Sequence, residues 1–156
     1  MMDFDRIKGG VAKDHRGEIR FFNTFDMTEV KRFYIIKNAD VDLIRGWRGH
    51  RIEQRWFYIL KGSFVFHLIK INEWEEPDKH LPIQQQILAN DEIQILYVPA
   101  GYATAFQATD PDSELMVFAD YPLSHASFDD YTWSLDYFVN LEIKLYTIEN
   151  DRQTSK

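Results

Sequence analysis

The architecture of this chain turns on one segment, Ile44-Arg45-Gly46-Trp47-Arg48-Gly49-His50-Arg51-Ile52-Glu53-Gln54-Arg55-Trp56-Phe57-Tyr58-Ile59-Leu60-Lys61-Gly62. Two short runs rich in β-branched and aromatic residues, Asp42–Arg48 and Arg55–Leu60, flank a polar stretch, and Lys61–Gly62 closes the second run as a turn. The same grammar holds on both sides. Strands are expected at Ile19–Asn23, Arg32–Lys37, Ser63–Ile71, Ile83–Leu88, Ile93–Val98, Thr104–Ala108 and Glu114–Tyr121. Turn residues punctuate them at Asp14–Gly17, Lys37–Asp40, Ala89–Asp91, Pro99–Gly101 and Asp110–Asp112. No helical period shows before about residue 125. This spacing predicts an all-β sandwich or barrel. From Tyr137 to Ile148 the pattern is ambiguous between a strand and a short helix, and Glu149–Lys156 is a polar tail. One domain over residues 1–148 is the expected organisation.

Composition narrows the function classes. The chain has 156 residues, 45% of them apolar and 15% aromatic, which is enough for a sizeable core. Its net charge of −7 argues against broad binding to nucleic acid or anionic membranes. With no cysteine, disulfides and Cys-ligated zinc or iron–sulfur sites are excluded. The N-terminus MMDFDRIKGG lacks the apolar core of a signal peptide. No apolar run reaches the ~18 residues that span a bilayer. A cytoplasmic protein is the expectation.

Several motifs occur in an order that resembles a known family. The first cupin motif reads H-x-H-x-x-x-x-[E/Q]-x-x-x-x-x-x-G; without gaps, Arg48 and His50 take the two His places, Arg55 the Glu/Gln place and Gly62 the closing Gly. The second motif, P-x-G-x-x-H, resembles Pro99-Ala100-Gly101-Tyr102-Ala103-Thr104, with Thr104 in the His place. More narrowly, Arg45 to Arg55 resembles the R-G-x-H-A-H-K-x-x-x-Q run of the dTDP-4-keto-6-deoxyglucose 3,4-ketoisomerases. These are cupins related to the dTDP-4-dehydrorhamnose 3,5-epimerases. Arg32-Phe33-Tyr34-Ile35-Ile36-Lys37-Asn38 resembles the R-V-Y-Y-I-x-N strand of that family, and Asp14-His15-Arg16-Gly17 its D-x-R-G turn. Asp120-Tyr121, Asp130-Tyr131 and Asp136-Tyr137-Phe138 resemble the closing D-Y…Y-D-N-F. The resemblance implies a cupin-type double-stranded β-helix, a jelly-roll barrel, acting on a nucleotide-linked 4-keto sugar.

The departures from the family shape the expected chemistry. The ketoisomerases use the H-x-H pair and a strand Tyr to move protons between neighbouring sugar carbons. Here the first His is Arg48, whose guanidinium stays protonated and cannot act as a base. It can stabilise an enediolate or bind an anion. His50 remains as the proton carrier, and Tyr34 as acid or hydrogen-bond donor. The phenol that the epimerases carry on the strand matching Glu114–Tyr121 is replaced by Leu115-Met116-Val117-Phe118. Arg16, Arg45, Arg55 and Thr104 complete the expected substrate-binding set. Strict alternation places Arg45 opposite Arg48 unless Gly46 forms a bulge. His15, His67, His80 and His125 form no ligand spacing with His50 and are expected to be structural or solvated.

Two function classes follow, with a third disfavoured. The chain is a sugar-nucleotide isomerase or epimerase, or it is a degenerate binding or accessory module that holds a sugar nucleotide without turnover. A metal-dependent cupin would need about three His or carboxylate ligands, where the motif positions offer Arg48, His50, Arg55 and Thr104. No metal and no cofactor are expected. The partners expected are a nucleotide sugar and a second copy of the chain, with Trp56 and Tyr58 on a face suited to a partner sheet or subunit.

Overall fold

A computed structural model describes residues 3–140. Among the described residues twelve strands form: β1 Asp5–Lys8, β2 Gly10–Asp14, β3 Gly17–Phe21, β4 Arg32–Lys37, β5 Ile44–His50, β6 Arg55–Lys61, β7 Ser63–Lys70, β8 Gln84–Ala89, β9 Gln94–Val98, β10 Tyr102–Ala108, β11 Glu114–Ala119 and β12 Tyr131–Thr132. A 3-10 segment, Leu123–Asp129, leads into the last of them. The strands make two antiparallel sheets, ordered β1-β9-β6-β11-β4 and β12-β5-β10-β7-β8, with β2–β3 as a separate hairpin. This is the expected all-β jelly roll. The strands from β4 to β11 fall where the sequence places them, to within two residues. The short β1, β2 and β12 carry no sequence signal, because DRIK, GVAKD and YT hold too few apolar residues to register as strands. The ambiguous stretch from Tyr137 is turn up to Asn140; its remainder, the expected boundary at 148 and the polar tail lie outside the described residues.

The inner faces of the sheets close over one core. Phe57 and Ile59 of β6 meet Phe64, Phe66 and Leu68 of β7, Leu96 of β9, Phe106 of β10 and Val117 of β11. Ring pairs such as Phe57–Phe66, 5.1 Å between centroids, pack edge to face. Strand β10 is buried along its whole length. Its other face lies under a second cluster made by Trp47, Ile69 and Phe138.

The outer face of the first sheet corrects one expectation. Trp56 and Tyr58 do not await a partner: Trp56 is 7% exposed, packed against Phe25 and Tyr97, and Tyr58 meets Phe22 edge to face. The chain's own segment between β3 and β4 covers them, because it carries Phe22, Phe25 and Val30 to the sheet.

Strand β5 carries the feature that shapes the site. Against β10, Thr104 pairs with Arg48 but Phe106 pairs with Arg45, so β5 has one extra residue between them. The bulge falls at Gly46–Trp47, joined by a cis peptide bond. Gly46 has φ +152°, and a Cβ there would sit 2.5 Å from Ala105 Cβ and 2.6 Å from Ala105 Cα. Both atoms belong to the buried central strand and cannot retreat. Gly46→Ala is therefore expected to cost about 2–3 kcal/mol, lowering the thermal midpoint by roughly 5–10 °C. A midpoint within about 1 °C of wild type would show that β5 accommodates the methyl group.

Candidate functional site

The bulge has a direct chemical result. It turns Arg45 to the same side as Arg48 and His50, and all three line one cavity of about 670 Å³ at the end of the barrel. Tyr34 of β4, Arg55 of β6 and Thr104 of β10 line the same cavity. Six of the seven expected site residues thus come together. Arg16 does not. It sits at the tip of the β2–β3 hairpin, 77% exposed, held 2.6 Å from Asp14, and it does not line this cavity.

The structure adds residues that the motifs do not mark. Arg32, Glu53, Asp130 and Trp133 also line the cavity. Glu53 lies two residues before β6, in the turn that follows β5, where neither the motifs nor strand alternation marks it. Asp129 had no signal either, because its partners lie more than 70 positions away in sequence.

Asp129 organises the turn that carries His50. Its side chain is 1% exposed, and its carboxylate accepts the amide N–H groups of Arg51, Ile52 and Glu53 at 2.7, 3.0 and 2.8 Å. Its main-chain oxygen lies 2.9 Å from Nδ1 of His50. A carbonyl only accepts, so that hydrogen bond assigns the proton to Nδ1 and leaves a lone pair on Nε2. Nε2 lies 3.5 Å from Oε2 of Glu53. The other Glu53 oxygen accepts from Arg32 Nη2 at 3.2 Å.

Burial, and next the Arg55 guanidinium, push His50 down to about 3, against the opposing effect of its hydrogen bond to the Asp129 carbonyl. Burial pushes Glu53 up, opposed by Arg55 and Arg32. His50 is therefore neutral at pH 7, and its contact with Glu53 is not an ion pair there. The sign for stability follows. A depressed His contributes stability that is full above its unfolded value, near 6.5, and lost as pH falls toward about 3. Acidification from pH 7 to pH 4 is expected to cost the wild type on the order of 3 kcal/mol through His50, a loss that His50→Asn escapes. Thermal midpoints of both proteins at the two pH values check this; equal losses would mean that His50 is not held neutral.

The other cavity groups differ in depth. Arg45 and Arg48 are exposed at the mouth, where Arg45 donates to the Asn38 side-chain oxygen at 2.8 Å and Arg48 lies 3.3 Å from Asp130. Arg55 is 5% exposed at the floor; it donates to Thr104 Oγ1 at 2.8 Å and lies over the Phe57 ring. Tyr34 lies under the Arg32 guanidinium, 5.0 Å from it. A cupin could hold a metal at the four motif positions, but these residues do not fit one. Two are guanidinium groups, which repel a divalent cation, and Arg55 already occupies the Thr104 oxygen.

A family model described as FdtA: WxcM-like, C-terminal matches residues 1–142. No curated protein matches the chain. Among solved structures, a 3,4-ketoisomerase from Helicobacter canadensis aligns at TM-score 0.64 and 18% identity, over 90% of this chain and 98% of its own. A mutant of the 3,4-ketoisomerase QdtA from Thermoanaerobacterium thermosaccharolyticum, in complex with TDP-4-keto-6-deoxyglucose, aligns at 0.60 and 22%, over 90% and 94%. A dTDP-4-dehydrorhamnose 3,5-epimerase from Bacillus anthracis, with TDP and PPi bound, aligns at 0.68 and 16%, over 88% and 83%. At these identities the likeness concerns the fold.

Proposed function

We propose, from the premise that the chain belongs to the FdtA, WxcM-like C-terminal family, that its cavity binds a nucleotide-linked 4-keto sugar and moves a proton beside the ketone. The observation that carries this reading is His50: a neutral imidazole with a lone pair on Nε2, in a cavity lined by four arginines, within a protein of net charge −7. Such a cavity suits an anionic ligand, and such an imidazole suits proton abstraction.

In this reading Nε2 of His50 takes the proton from the carbon beside the carbonyl, and Tyr34 donates to the enediolate oxygen. Arg48 stands too exposed for the enediolate role that the sequence suggests. With Arg45 it meets the diphosphate at the mouth. Thr104 positions Arg55 through its 2.8 Å hydrogen bond. Binding itself would ready the base. The charges that depress His50 belong to Arg55, Arg48 and Arg32, and an anion placed among them offsets part of that effect, raising His50 toward working pH.

Incubation with a dTDP- or UDP-linked 4-keto sugar in deuterated water tests the reading, with label expected at the carbon beside the ketone. Tight binding without label would support the accessory-module reading instead. The same reading includes a cytoplasmic site of action and a homodimer. Strand β4 is a sheet edge that exposes Phe33 at 61% and Ile35 at 53%, an arrangement that pairing with a second copy would cover. Light scattering is expected to give about twice the chain mass of 18.6 kDa; the chain mass itself would contradict the dimer.

A further inference from the structure

We propose, resting on the reading of the cavity as a sugar-nucleotide site, that Arg55 receives a carboxylate carried by the sugar, so that the preferred substrate is an acidic sugar nucleotide.

The argument begins with charge. Of the four cavity arginines, Arg32 lies 3.2 Å from Glu53 and Arg48 lies 3.3 Å from Asp130. Arg45 and Arg55 have no carboxylate within 4 Å among the described residues, and their partners there are neutral oxygens, on Asn38 and Thr104. For the exposed Arg45 that costs little, since water solvates it. For Arg55 it costs more. A guanidinium 5% exposed, with five N–H donors and one hydrogen bond to a hydroxyl, has lost most of its hydration, and the Glu53 carboxylate that opposes its charge lies beyond 4 Å. The nearby carboxylate of Glu53 is already shared with Arg32.

Depth then identifies the missing anion. A sugar nucleotide entering such a cavity leaves its nucleoside outside, places its diphosphate at the mouth and sends the sugar to the floor. Arg45 and Arg48 stand at the mouth; Arg55 stands at the floor. The anion facing Arg55 is therefore on the sugar. An enediolate would be one, but it exists only during the reaction and leaves the surplus charge of two guanidinium groups, Arg32 and Arg55, around one Glu53 carboxylate in the bound complex. A sugar carboxylate compensates it throughout, and its two oxygens match the guanidinium fork. The ketoisomerase pattern has Gln at this place, a neutral group suited to a neutral sugar.

Isothermal titration with UDP-glucuronate, UDP-glucose and UDP, and with their dTDP counterparts, tests this. The wild type is expected to bind the glucuronate about 10- to 100-fold tighter than the glucose on the same nucleotide. In Arg55→Gln the ratio is expected to fall close to one, through loss of glucuronate affinity. Equal wild-type affinities for the two sugars overturn the proposal without recourse to the variant. So does an Arg55→Gln variant that loses as much affinity for the free nucleoside diphosphate as for the glucuronate, because Arg55 would then meet the diphosphate. Failure of every nucleotide and sugar nucleotide to bind instead overturns the sugar-nucleotide reading itself.

Discussion

In His50→Asn, incorporation of solvent deuterium beside the ketone is expected to fall by at least about 100-fold. Binding of the nucleoside diphosphate should stay within a few-fold of wild type. Asparagine keeps a donor for the Asp129 carbonyl, so the wall of the cavity survives. What it lacks is a basic lone pair. No other expected site residue replaces it. Arg48 and Arg55 stay protonated, and Thr104 accepts a hydrogen bond from Arg55. Glu53, 3.5 Å from Nε2, is placed to take over as base. Full turnover in the Asn variant would therefore move the base away from His50, and His50→Asn combined with Glu53→Gln would then show whether Glu53 holds that role.

The largest effect on stability is expected at Asp129. Asp129→Ala removes the acceptor for three amide N–H groups at 2.7–3.0 Å, in a residue only 1% exposed. Hydrogen bonds to a charged acceptor are worth about 1.5–3 kcal/mol each, and water recovers part of that loss. A cost of about 3–5 kcal/mol follows, or roughly 10–15 °C in thermal midpoint. Asp129→Asn keeps one accepting oxygen and is expected to cost less than half as much. Denaturation of both variants decides it. An Ala variant within about 1 kcal/mol of wild type would show that the Arg51–Glu53 turn holds itself.

How far the sequence reaches into this structure depends on the range of the interaction. Strands β4 to β11 were legible because each is a local run of β-branched and aromatic residues between turns. Arg48, His50, Arg55 and Thr104 were legible because two motifs place them, whereas Glu53 lies in the turn before β6, which no motif or alternation marks. Arg45 stood on the edge of legibility. Its side of the sheet depends on a bulge that Gly46 permits but that only the register against β10 establishes. The cover over Trp56 and Tyr58 was hidden, because nothing local says that Phe22 and Phe25 fold back on them. Arg16 is the reverse case: a motif residue whose hairpin stands apart from both main sheets, outside the cavity of its own chain. Asp129 was out of reach for the same reason that it matters, since it joins segments remote in the chain.

Two neighbouring carboxylates also give the cavity wall a mechanical character. Asp129 holds the His50 turn, and Asp130 holds Arg48. The short segment Leu123–Asp130 is thus a single latch with two bolts. It cannot swing outward to widen the mouth without freeing the imidazole and the mouth arginine together. Widening of the mouth and alignment of the His50 imidazole share one coordinate, so a wall open enough to let a bulky ligand pass is also a wall at which that imidazole is out of register. The amide protons of Arg51, Ile52 and Glu53, shut behind that latch, are where hydrogen exchange would time its opening.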